Sequence, residues 1–145
     1  MVSAQVSANA QVDALLSGDE APGGIVFEIV ESEDDALEVL LPLVRQAVER
    51  IRDRFPDTEF AVVSHGSEEF ALQRQYQQEY APIHRQVKSL VEDEVPVHVC
   101  ETHASWYGVT PEDFPDYVDV APTGPGQISL YRELGYQLIR IEPEE

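Results

Sequence analysis

The chain has 145 residues, 43% hydrophobic and 26% charged, which suits one domain with a sizeable core. Its 28 acidic side chains against 9 basic ones give a formal net charge of -19. A surface this negative repels phosphate backbones and anionic lipid, which excludes nucleic acid and membrane surfaces as partners.

Residues 1–22 are small and polar, and are expected to form a mobile or peripheral arm with a short helix around residues 12–16. Residues 23–145 are expected to form a single domain. The first ten residues lack a basic n-region and an apolar h-region, so no secretory signal is expected. No later stretch reaches the roughly 18–20 apolar residues of a membrane span. Cys100 is the sole cysteine, so no intrachain disulfide forms, and the expectation is a cytoplasmic protein with a reduced thiol.

Residues 25–30, IVFEIV, are β-branched and mostly apolar, the pattern of a strand buried on both faces. Ser32 and the acidic residues after it start a helix, with negative charge at the positive end of its dipole. Helical spacing links Ala36, Leu40, Leu41, Val44, Ala47, Val48, Ile51 and Phe55, and Pro42 should kink this helix or mark a fresh start. A second strand covers 60–63 and runs into Ser64, His65 and Gly66. A long helical stretch follows over 68–92, with a break at Pro82. Residues 95–100 form the third strand, 111–115 a helical turn and 117–121 a short fourth strand. Residues 126–134 form a helix that Gly135 stops, and 136–141 the closing strand. Strands alternate with crossovers long enough for parallel connections, so the fold class is α/β, a three-layer sandwich with helices on both faces.

Alternation along the third strand puts Val95, Val97 and Val99 on one face, and His98 and Cys100 on the other. His98 is expected to be an interior histidine with satisfied hydrogen bonds. Cys100 ends the strand, is expected to be more accessible than His98, and is the candidate nucleophile. A thiolate is stabilised by a helix N-terminus, a cation or a charged histidine. His103 lies close enough to help if the chain turns back, and the N–H groups of residues 104–108 are further candidate donors. Glu101 acts in the opposite sense. His65 ends the second strand at the same edge of the sheet, where ligands dock in open α/β folds. Trp106 and Tyr107 are read either as an apolar wall over the thiol or as a subunit interface.

Other chemistries fit less well. His98, Cys100 and His103 offer zinc-type donors, but a histidine and a cysteine two apart on a strand form no zinc spacing. No metal and no cofactor is expected. A G-x-S-x-G nucleophile elbow is missing. Gly124, Pro125 and Gly126 open a helix without a P-loop lysine, and read as a turn.

From Gly24 to Ile141 the chain resembles the DsrE/DsrF-like family of sulfur-relay proteins, to which the TusD subunits are related. The resemblance rests on VVSHG at 62–66, VHVC at 97–100, THASWYG at 102–108, GPGQI at 124–128 and YRELGY at 131–136. It implies a mostly parallel five-stranded sheet with helices on both faces, and homo-oligomers, as trimers or hexamers. It also implies that Cys100 occupies the position at which sulfur-transferring members carry a persulfide. The leading functional reading is therefore a small sulfur-carrier or sulfurtransferase-like protein. In it Cys100 holds sulfane sulfur as a persulfide and passes it from a donor protein to an acceptor thiol, with His103 and His65 nearby. The alternatives are a non-catalytic oligomeric module that binds a small ligand or a protein, and a redox-sensing thiol.

Overall fold

The computed structural model describes residues 7–143. Residues 1–6 of the expected arm and 144–145 of the expected domain lie outside them. Five strands form one sheet in the order β4-β3-β2-β1-β5: β1 (Gly24–Ile29), β2 (Glu59–Ser64), β3 (Val97–Cys100), β4 (Asp119–Ala121) and β5 (Tyr136–Arg140). All four pairings are parallel. The expected α/β sandwich is present, and its sheet is wholly parallel.

The helices are α1 (Ala8–Ser17), α2 (Ala36–Arg54), α3 (Ala81–Glu92), α4 (Glu101–Ser105) and α5 (Gly124–Glu133). Strands β1 to β4 step across the sheet in one direction, and right-handed crossovers then keep their helices on one face. Only the return from β4 to β5 reverses direction, so α5 covers the other face. The packing follows this logic. Ile25, Phe27, Ile29, Phe60, Val62, Val97 and Val99 share a large core with α1, α2 and α3. Val26, Ala61 and Val63 form a smaller cluster with Ile128 of α5, flanked by Tyr131, Tyr136 and Leu138. Phe27 and Phe60 stack at 6.0 Å between centroids in the larger core.

Part of the stretch read as an arm is helix α1. Ser7 caps it by accepting the Ala10 N–H at 3.1 Å, and Val12 is buried in the core. Pro42 does not mark a fresh start; α2 runs continuously from Ala36 to Arg54 with Pro42 inside it. The expected long helix over 68–92 is corrected more deeply. Two 3-10 turns, Ser67–Leu72 and Arg74–Tyr76, precede α3, and Pro82 sits in the first turn of α3. Proline lacks only an N–H that a first turn leaves free, so Pro82 opens the helix. Residues after Cys100 continue as α4, where a loop was expected.

Truncating Phe27→Ala removes a wholly buried ring and should cost about 3–5 kcal/mol in urea denaturation. A loss below about 1 kcal/mol would contradict the central place given to this ring.

Candidate functional site

The C-terminal ends of β1, β2 and β3 converge on a polar cluster that is almost wholly buried. Ser64 ends β2, pairs with Ile29 of β1 and Val99 of β3, and has no exposure. The 3-10 turn after it carries Glu68 and Glu69, both with 0% exposure. A carboxylate withdrawn from water requires hydrogen bonds, and Glu68 has three. It accepts the Glu31 N–H at 2.6 Å, the Ser64 hydroxyl at 2.6 Å and the Gly66 N–H at 3.0 Å. Gly66 permits this approach: a Cβ there would stand 2.5 Å from Glu68 Oε1 and 2.6 Å from the Glu31 nitrogen.

Glu69 reaches the other way. Its Oε1 accepts the Cys100 N–H at 2.8 Å, and its Oε2 lies 3.2 Å from His103 Nδ1. Burial pushes this carboxyl up to about 8; the Cys100 N–H opposes the rise and the neighbouring Glu68 adds to it. At neutral pH burial therefore favours the protonated form of Glu69, whose Oε2 stands within hydrogen-bond distance of His103 Nδ1.

Cys100 is the N-cap of α4, and its Sγ accepts the His103 N–H at 3.4 Å. The thiol is 5% exposed and His98 is 6% exposed, so the expected difference in accessibility is absent. Helix α4 folds over the strand end where open loop was expected. Trp106 and Tyr107, 72% and 65% exposed, set their ring edges against His103. They wall the imidazole, and Phe70 closes its third side at 5.3 Å.

The structure brings Cys100 and His103 together and ties His65 to a different partner. His65 Nε2 donates to Glu28 Oε2 at 2.8 Å, which holds that carboxylate below its usual range. The His65 ring packs so closely on α5 that a Cβ on Gly124 would lie 2.5 Å from its Cβ. Gly124 thus serves close packing of helix on strand end. His98 is a satisfied interior histidine: Nδ1 donates to Asp119 at 2.5 Å, and Nε2 accepts the Tyr131 hydroxyl at 2.7 Å. Among the described residues, no group of three or more His, Cys, Asp or Glu side chains is placed to hold a metal ion, and no helix is long and apolar enough to cross a membrane.

Sequence reasoning passed over Glu68 and Glu69, because a helix over 68–92 leaves them looking like ordinary surface acids. One signal was available. Two acids directly after a buried strand end, followed by Phe70, Ala71 and Leu72, sit where solvent exposure is least expected.

No protein-family model matches the chain, and no curated protein matches it. Solved structures do share its fold. MTH1491 from Methanobacterium thermoautotrophicum, described as a protein of unknown function, is 24% identical with a TM-score of 0.66, over 81% of this chain and 97% of that one. The ychN protein from E. coli is 15% identical with a TM-score of 0.59, over 81% and 98%. BT1422 from Bacteroides thetaiotaomicron, a conserved protein of unknown function, is 10% identical with a TM-score of 0.55, over 80% and 94%. The fold is the DsrE-like one anticipated from the strand-end motifs.

Replacing Glu69→Gln keeps the acceptor for Cys100 and removes the titration. An acid whose folded pKa is raised binds more protons folded than unfolded, so its contribution to stability is lost as pH rises from about 4.5 to about 8. Stability measured by urea titration from about pH 5 to about pH 9 should fall more in the wild type than in Glu69→Gln. Parallel curves would refute the assignment.

Proposed function

We propose that this protein is a single-cysteine sulfur carrier, with Cys100 as the residue that holds sulfur. The supporting observation is the Cys100 sulfur itself, seated at a strand end with the His103 N–H directed onto it and the Glu69–His103 pair fixing that donor's helix. In the loading step the Cys100 sulfur attacks the outer sulfur of a donor persulfide, R–S–SH. The bond from Sγ to the transferred sulfur forms, the donor S–S bond breaks, and the thiol proton ends on the departing R–S⁻. Cys100 then carries –S–SH, and an acceptor thiol takes the outer sulfur by the same exchange. Because Sγ is nearly covered, loading requires α4 to lift from the strand end. That helix is one short turn held by Thr102, whose N–H and hydroxyl both donate to the Pro122 carbonyl, and by His103. His65 then acts at a distance, positioning the β2 end through Glu28.

Incubation with a sulfane-sulfur donor should add about 32 Da, or multiples of it, to Cys100 and nothing to Cys100→Ser. An unmodified wild-type chain, beside a known carrier that loads in the same tube, would end this reading.

The second reading, a non-catalytic binding module of the same fold, is favoured by a cavity of about 520 Å³ on the same edge, whose lining does not include Cys100. An unchanged phenotype in Cys100→Ser would select it. Under either reading the chain assembles as a homotrimer or homohexamer in the cytoplasm. Support for assembly comes from Leu130 on α5 and Leu134 at its C-cap, 56% and 74% exposed and about one turn apart. Sedimentation equilibrium should return three or six chains, and a monomer at every concentration would exclude assembly.

A further inference from the structure

The cavity beside His103 carries chemistry that the thiol does not explain. It lies between the β1–α2 connection, the 3-10 turns after β2, and the residues following α4. Four aromatic side chains line it, in two edge-to-face pairs: Phe70 with Tyr107 at 5.2 Å, and Tyr76 with Tyr80 at 5.9 Å. Asp34 and Glu79 supply its charged groups, Ser32, Ser67, Gln73 and Gln75 add neutral polar groups, and among the described residues neither lysine nor arginine lines it. The basic side chain nearest in sequence, Arg74, is turned away, its guanidinium bonded to the Glu112 carbonyl at 3.0 Å and to Asp116 at 3.2 Å. Burial first, and then the charges of Glu79, Asp34 and Asp35, make the Tyr80 hydroxyl harder to ionise, so the negative field reaches the rings themselves.

Each wall component selects against a class of ligand. Anions meet two carboxylates and no basic group. A hard metal ion needs several oxygen ligands at short range, and among the described residues no group of three or more His, Cys, Asp or Glu side chains is placed to hold one. A neutral apolar molecule leaves the carboxylates uncompensated. An organic ammonium ion satisfies all parts together: ring faces attract its diffuse charge, and its weak hydration makes entry cheap compared with an alkali cation. A volume of about 520 Å³ lies within the range of small-molecule sites.

We propose that this cleft binds a small organic ammonium ion, its head between the two aromatic pairs and its charge opposite Asp34 and Glu79. The site is independent of sulfur chemistry at Cys100. Phe70 joins the two regions physically, since its ring meets His103 and also lines the cleft.

The test compares choline with its uncharged isostere 3,3-dimethyl-1-butanol, by calorimetry and NMR titration of the full chain at about 150 mM KCl. Choline should bind saturably and at least about tenfold tighter than the alcohol. Tyr76→Leu and Asp34→Asn, both at solvent-accessible positions and checked for native melting, should each weaken choline by about threefold or more. Cys100→Ser should bind choline like the wild type, whether or not the wild type loads sulfur. Equal affinity for the alcohol would make the cleft merely apolar and overturn the proposal. So would choline binding that neither cleft variant weakens, which is attraction to the acidic surface at large. A titration that never saturates, or loss of binding in Cys100→Ser, would also overturn it.

Discussion

Glu68 and Glu69 are withdrawn completely from water in a chain that carries 28 acidic residues, and the whole C-terminal edge is arranged around them. Burying a carboxyl group is costly unless its oxygens are bonded, so each glutamate must find partners within reach. Glu68 finds them on the turn after β1 and the end of β2; Glu69 finds them on the end of β3 and on α4. Two adjacent side chains thereby join three strand ends and a helix. Gly66 is the accommodation that makes this possible, because any side chain there would occupy the space that the Glu68 carboxylate fills.

The same constraint sets the state of the candidate nucleophile. Cys100 has its N–H tied to Glu69 and its sulfur covered by α4, while His103 is shared between the helix and Glu69. Burial and the neighbouring Glu68 together raise the Glu69 carboxyl, so a second buried negative charge at this edge is disfavoured. Sulfur loading, as proposed, therefore begins with motion of five residues, and the persulfide forms at a position that closes over it. Such closure is suited to holding a labile sulfur away from stray thiols and oxidants.

On the outer side of the His103 wall the character of the surface changes. Phe70, Tyr107 and the tyrosines of the 3-10 segment replace the inward hydrogen-bond network with ring faces in an acidic field. The proposed sulfur-carrying and ligand-binding regions are thus separated by one ring, Phe70. Two strand positions away, at the end of β1, Glu28 instead pairs with His65. Strand-end position alone therefore assigns no role; the partners do.

Strand positions were legible because β-branched runs such as 25–30 and 95–100 carry their own signal, and the crossovers are long enough for parallel pairing. Those are local properties of the chain, and each strand falls within about two residues of its reading. Helix assignment failed over 68–80, where apolar spacing exists but two 3-10 turns satisfy the backbone instead. Residues Cys100, His103 and His65 were visible as chemistry-bearing types at one edge. Their partners were not, because Cys100 meets Glu69 across 31 positions and His65 meets Glu28 across 37. Periodicity reports which face a residue occupies and nothing about what stands opposite it. The sequence by itself determined the layered α/β order and the single thiol at a strand end. Only tertiary packing decided that this thiol is covered, that the buried Glu69 bridges Cys100 and His103, and that an aromatic acidic cleft opens beside them, since burial and charge coupling arise between segments far apart along the chain.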